Sequence, residues 1–178
     1  MKYKTLIKMY FAIVISFVSG NISQAKNKEF PYIKNGISFS LAEGWRVTAN
    51  DSIGNNAWYF SAESKNPNST GLITLTWINK VENPDETIAL HQKTMRSSNI
   101  FRNPGIEFTS VTNNSFAGFK VRSCRYVTIV KQQKLEGVIY CFNSQKKTIT
   151  IFFQSGLNHH KHYQKALELI KITFNCRD

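Results

Sequence analysis

The sequence predicts an α+β domain in which an antiparallel β-sheet of about six strands carries helices packed on it. Short runs of alternating or β-branched residues recur along the chain, two amphipathic segments interrupt them, and the connections between successive strands are short. Such connections cannot make the long crossovers that parallel strands need, so we expect neighbouring strands to run antiparallel. The order of strands, helix, strands and helix is typical of this class.

Residues 1–25 are predicted to be an export signal. Three lysines precede an apolar run at residues 9–18, and Ala25 stands where a signal peptidase would cut. An uncleaved membrane anchor is the alternative, but a helix of that run would cross only about half of a ~30 Å hydrocarbon core. We therefore expect a protein that is periplasmic or secreted, with residues 26–178 forming a single domain and no transmembrane span after cleavage.

The first part of the mature chain reads as strands. Residues 36–41 alternate between apolar and polar side chains, as in a half-buried strand, and Gly44 turns the chain towards Trp45. Residues 57–62 and 72–78 are rich in aromatic and β-branched residues and are separated by a turn-forming segment. These two runs predict a hairpin.

A first helix is predicted to begin at Pro84 and to end near Ser98. Asn83 can cap it, proline fits the first helical position, and Glu86 stands where an acid would reach back to the cap. The apolar face of this helix is thin, so we expect it to lie on the sheet. His91 on that face is interpreted as a packed boundary residue.

The second part of the chain predicts further strands and a closing helix. The strands are residues 107–111, 118–130, 135–143 and 148–154. Asn158 would cap the helix, whose apolar residues recur at spacings of three and four, namely Tyr163, Ala166, Leu167, Ile170 and Phe174. We expect this helix to dock on the sheet.

Several segments resemble a known structural group. They are "ISFSLAEGW" at Ile37–Trp45, "SFAGFKVRSCRY" at Ser115–Tyr126 and "TITIFF" at Thr148–Phe153, followed by the amphipathic closing helix. Together they resemble the PsbP, Mog and DcrB-like α/β/α sandwich domains over about Phe30–Phe174. The resemblance implies a non-enzymatic, partner-binding or accessory module. It brings no residue-level binding motif, because one fold carries many functions.

The three cysteines, Cys124, Cys141 and Cys176, would meet an oxidising compartment after export. If the predicted hairpin turns at residues 132–133, Cys124 faces Cys141, and a disulfide between them would leave Cys176 as the unpaired thiol. A bridge from Cys176 to one of the others and three unpaired buried thiols both stay open.

Charge is distributed unevenly along the mature chain. Residues 26–119 carry a net charge of +1, whereas residues 120–178 carry +8. Such a surface attracts anions, so we expect an anionic envelope component or an acidic protein as partner, while nucleic acid is disfavoured for an exported protein. A solvated basic surface that only keeps the protein soluble is the alternative. The candidate anion-binding residues are Lys146, Lys147, Lys161 and Lys165.

Motifs of common enzymes are missing from the sequence. It contains no G-x-S-x-G, P-loop, G-x-G-x-x-G, H-E-x-x-H or C-x-x-C pattern. His159 and His162 would share one helical face, but no third ligand is evident, so neither a metal nor a cofactor is predicted. The sequence therefore favours a non-catalytic binding or accessory module of the cell envelope. The alternative is a small hydrolase-type enzyme with an unrecognised site, for instance a cysteine paired with His91.

Overall fold

The computed structural model describes residues 30–66, 71–98, 105–156 and 160–177, with the backbone alone for residue 30 and residues 160–162. The predicted export signal, most of the predicted turn at residues 66–69, and Asn158 lie outside the described residues.

Eleven strands and two helices occur in this part of the chain, and they confirm the α+β class. The helices are α1 (Pro84–Ser97) and α2 (His160–Thr173). The strands are β1 (Phe30–Lys34), β2 (Ile37–Leu41), β3 (Trp45–Ile53), β4 (Ala57–Ser64), β5 (Leu72–Ile78), β6 (Ile106–Phe108), β7 (Thr112–Phe116), β8 (Phe119–Val130), β9 (Gln133–Ser144), β10 (Lys147–Gly156) and β11 (Asn175–Cys176).

The strands form two antiparallel sheets. The larger has eight strands in the order β3-β4-β5-β10-β9-β8-β6, with β7 also paired to β8, and the smaller has the order β1-β2-β11. The described residues contain more strands than the six or so predicted. Strands β1 and β11 pair with β2 in a sheet of their own, and the short strands β6 and β7 both pair with β8 in the large sheet. Strand β10 lies between β9 and β5, so the large sheet joins the two parts of the chain.

Helix α1 begins where its cap was predicted. The Asn83 side chain accepts a hydrogen bond from the Asp85 N–H at 2.9 Å, and Pro84 occupies the start of the helix, where its missing N–H costs nothing. The helix buries Ile88 and Met95 against the sheet. It ends at Ser97, one residue before the predicted end.

One face of the large sheet, here called the aromatic face, packs against α2 and the small sheet. Trp45, which was predicted to follow a turn glycine, lies on it with its ring centroid 5.9 Å from that of Tyr163 in α2. The Phe142 and Phe174 centroids are also 5.9 Å apart. The buried aromatic residues of this face and its cover include Phe39, Trp45, Phe60, Trp77, Phe116, Tyr140, Phe142, Phe153, Tyr163 and Phe174.

The opposite face, here called the thiol face, packs against α1. Its buried cluster is smaller and consists of Ile88, Met95, Cys124, Tyr126, Ile139 and Cys141. The Tyr126 ring lies so close to Gly137 that any side chain there would overlap it. The Tyr126 hydroxyl donates a hydrogen bond to Gln154 Oε1 at 2.9 Å.

The hairpin of β8 and β9 turns one residue earlier than predicted. Lys131 and Gln132 form the turn, both with positive φ (48° and 67°), which matches strand twist although neither residue is glycine or asparagine. The pairing therefore shifts by two residues, and Cys124 lies opposite Ile139, not Cys141.

The predicted register is thus wrong, and the disulfide drawn from it is not formed in this structure. Cys124 and Cys141 are diagonal neighbours on the paired strands β8 and β9. Residues in such positions are about 7–8 Å apart, which is farther than the two residues of a disulfide usually are. Cys124 and Cys141 are buried free thiols, and Cys176 is a half-buried one.

Candidate functional site

The four predicted anion-binding lysines do not share one environment. Lys146 is exposed in the β9–β10 turn and Lys165 is exposed on α2. The side chain of Lys161 lies outside the described residues. Lys146 therefore lies at the turn that leads into β10, whereas Lys165 lies within α2, so the two exposed lysines belong to separate elements.

Lys147 does not belong to the exposed surface, which corrects the sequence prediction. Only 8% of this residue is exposed, and its Nζ donates to the Arg177 carbonyl at 3.3 Å. The reason is strand alternation: Lys147 lies on the same face of β10 as Ile149, and that is the aromatic face. The C-terminal segment covers it there.

The basic excess of the second half is nevertheless exposed. Within the described residues, six exposed cations of this half make no ion pair, whereas Lys171 pairs with Glu168 at 2.7 Å. Residues 120–178 contain three acidic residues in all, so few partners are available. The six cations are Lys120, Arg125, Lys134, Lys146, Lys165 and Arg177.

The buried thiols lie in surroundings that hold them protonated. Burial raises the pKa of Cys124, and it raises the pKa of Cys141 to about 11 despite hydrogen bonds from Thr150 and Thr87. A cysteine nucleophile needs a lowered pKa, because the thiolate is the reactive form. Burial also lowers the pKa of His91 to about 4, so this residue is neutral near pH 7.

No group of three potential metal ligands occurs among the side chains that the structure describes. His159 and the side chains of His160 and His162 lie outside that part of the chain. Neither described helix is long and apolar enough to span a membrane.

The described residues also form a pocket that was not predicted from the sequence. Its residues belong to the first half of the chain, outside the basic second half. It has a volume of about 120 Å³ and lies between the β1–β2 turn, the β3–β4 turn and the end of β5. Its lining residues are Asn35, Ser52, Gly54, Asn55, Asn56, Ala57, Trp58, Trp77 and Asn79, and we call it the amide pocket. The asparagines of three separate turns could be seen in the sequence as a signal for exposed amides. That the turns after β3 and β5 lie side by side depends on the pairing of β4 with β5.

The indoles of the amide pocket are held by neighbouring side chains. Trp58 and Trp77 lie opposite each other on β4 and β5, with ring centroids 6.3 Å apart. The Asn50 Oδ1 accepts hydrogen bonds from Trp58 Nε1 at 2.9 Å and from the Tyr32 hydroxyl at 2.8 Å. The Lys34 Nζ lies 4.6 Å from the centroid of the Trp58 ring, a cation–π distance.

Comparison with known proteins identifies the fold. No family model matches the chain, and no curated protein matches its sequence. Among solved structures, LpqN, "involved in cell envelope biogenesis of Mycobacterium tuberculosis", is similar with a TM-score of 0.53 at 13% identity, covering 85% of this chain and 91% of LpqN. Cyanobacterial PsbP (CyanoP) from Synechocystis is similar with a TM-score of 0.55 at 9% identity, covering 89% of this chain and 98% of CyanoP.

The chain therefore has a PsbP-like fold, as the resemblance implied. At such low identity the comparisons show the fold alone. The likeness to Mog and DcrB stays a prediction.

Proposed function

We propose that the protein is an exported, non-catalytic binding module of the cell envelope, which holds an anionic envelope component through the exposed cations of its second half. The observation that carries the proposal is the set of exposed cations without an ion pair in the described part of residues 120–178. Surface charges that are not neutralised locally create an attractive potential for anions. Lys146 and Lys165 are the members predicted from sequence, and Lys161 is added as a third.

Export and a non-catalytic role have separate support. The lysine-rich start, the apolar run at residues 9–18 and Ala25 favour export with cleavage before Lys26. The similarity to LpqN, which is involved in cell envelope biogenesis, agrees with an envelope location. The raised pKa of Cys141 argues against one form of the hydrolase alternative, in which this buried cysteine paired with His91 would be the nucleophile.

The test measures retention of the protein on anionic phospholipid vesicles and on an immobilised acidic polysaccharide, at low and at high salt. Retention on one support and not on the other identifies the source of the anion. We expect retention to fall as salt rises, because exposed charges are screened beyond about 8 Å at physiological ionic strength.

Two double variants with the same change in net charge separate a defined surface from general basicity. Lys146→Gln with Lys165→Gln removes two exposed cations from the second half, and Lys65→Gln with Lys93→Gln removes two exposed cations from the first half. We expect the first variant to lose most of its retention and the second to keep it. Equal retention of both variants, or no retention of the wild type on either support, would contradict the proposal.

A further inference from the structure

The amide pocket has the chemistry of a site for an uncharged, hydroxyl-rich ligand. All nine of its lining residues are neutral, and none of the exposed second-half cations lines it, although the Lys34 Nζ lies 4.6 Å from the centroid of the Trp58 ring. The side-chain amides of Asn35, Asn55, Asn56 and Asn79 are exposed. Within the described residues they make no hydrogen bond, so a ligand can reach them. Each carboxamide offers both donors and an acceptor, so the rim can match groups that do the same.

The floor of the pocket is aromatic. Trp77 is 2% exposed and is stacked beneath Trp58, so the aromatic surface that a ligand can reach belongs to the half-buried Trp58 indole. A pyranose ring has the complementary construction, because hydroxyl groups that donate and accept surround its edge while C–H groups form its faces. Pockets in which aromatic surface carries a few polar groups are typical of small-molecule sites.

The rim is held in place before any ligand binds. The Asn79 N–H donates to the Asn56 carbonyl at 2.8 Å, which fastens the β3–β4 turn to the end of β5. Asn35 and Gly36 have φ values of 49° and 78°, the geometry of a tight two-residue hairpin turn. A preorganised rim loses little conformational freedom on binding.

We propose that the amide pocket binds one neutral pyranose residue, such as the terminal sugar of an envelope glycan, with the ring against the Trp58 indole, where it replaces the Lys34 ammonium, and its hydroxyls bonded to the asparagine amides. The cavity of about 120 Å³ is well below the roughly 300–1,000 Å³ of sites for larger ligands, so it accepts a single ring. This site is separate from the basic surface of the proposed function, and its ligand needs no negative charge.

The experiment is a titration of the isotope-labelled protein with a panel of methyl pyranosides, followed by the three indole N–H signals in proton–nitrogen NMR spectra. We expect a saturable shift of the Trp58 and Trp77 signals with at least one neutral pyranoside. The Trp45 signal is the internal control, because Trp45 packs against Tyr163 under α2 and does not line the pocket. Salt should leave the affinity unchanged, in contrast to retention on an anionic support.

A variant of the pocket rim tests the role of the amides without removing any buried side chain. Asn55→Ala with Asn79→Ala removes two exposed amides while keeping both indoles and the backbone hydrogen bond of Asn79, and we expect binding about tenfold weaker. Gln133→Ala is the matched control, since this exposed amide lies at the other end of the sheet, and it should bind as the wild type does. The proposal is overturned by no saturable shift with any pyranoside, by undiminished binding in the rim variant, or by binding restricted to charged sugars.

Discussion

The two faces of the large sheet are built differently. The aromatic face is closed by α2 and the small sheet, and its aromatic rings form a continuous set of contacts that includes Phe142 and Phe174. Of the two helices that the structure describes, α1 covers the thiol face, over a small cluster that contains two cysteines. Buried polar side chains such as Thr150 and Gln154 lie on the same side of β10 as this cluster.

This difference indicates which face contributes more to the stability of the domain. Burial of apolar area is the main stabilising contribution, and the aromatic face buries more of it. We infer that α1 can detach in a local opening that leaves the aromatic face intact, because regions with few buried apolar contacts open first.

The largest expected effect is the loss of a ring from the aromatic face. Phe142→Ala should lower the free energy of unfolding by about 4 kcal/mol, since Phe142 is almost fully buried and its ring contacts Phe116, Phe119 and Phe174. Ile88→Ala on the thiol face should cost about 2–3 kcal/mol. Urea unfolding of both variants measures the difference, and a greater loss in Ile88→Ala would reverse the ranking of the two faces.

Thiol labelling tests whether α1 opens locally. In native conditions Cys176 should react with a thiol reagent first, because it is half-buried, while Cys124 and Cys141 should react slowly and only when α1 detaches. Ile88→Ala should speed the labelling of the two buried thiols by about thirtyfold if it destabilises the closed helix by about 2 kcal/mol.

The labelling of Cys176 in the same variant is the control and should not change. Mass spectrometry of the labelled protein should find three reactive thiols after denaturation. Two blocked cysteines would mean that a disulfide forms after all, and equal acceleration at Cys176 would show that the whole domain opens, not α1 alone.

A smaller effect is expected from pH, through His91 on the sheet-facing side of α1. The imidazole takes up a proton near pH 6.5 in the unfolded chain but only near pH 4 in the folded protein, because burial lowers its pKa. Between these values the unfolded state binds more protons, so stability is complete above about pH 6.5 and falls as the pH drops towards 4. His91→Gln should flatten this part of the curve.

The expected loss for the wild type is about 1–3 kcal/mol, the lower part of this range being favoured because His91 is only half-buried. Thermal unfolding from pH 7 to pH 4 measures it in both proteins. Parallel curves for the wild type and His91→Gln would assign the acid sensitivity to other groups.

Local patterns in the sequence predicted the elements well. The Asn83 cap, the proline after it and the spacing of Tyr163, Ala166 and Ile170 are signals that neighbouring residues create, and the structure contains the corresponding helices. The resemblance to PsbP rested on segments of this kind, and the fold agrees with it.

The errors arose where long-range contacts decide the outcome. The turn at Lys131 and Gln132 lacks the residues that mark tight hairpins, so the register of β8 and β9 could not be read from it. Strand alternation placed Lys147 on one side of β10, but only the tertiary fold determines that the C-terminal segment covers that side.

The amide pocket was missed for a similar reason. Its residues come from three turns and three strands, and none of them forms a local motif. The pairing of Trp58 with Trp77 brings the β3–β4 turn beside the end of β5, and the packing of the small sheet adds the β1–β2 turn.

Lysine footprinting tests the proposed basic surface most directly. The protein is acetylated with and without the anionic support that retains it, and the modified lysines are measured by mass spectrometry. We expect protection of Lys146 and Lys165 in the bound protein, with no change at Lys65 and Lys93, which are exposed in the first half of the chain. Protection at Lys65 and Lys93, or unchanged acetylation at Lys146 and Lys165, would contradict the proposal.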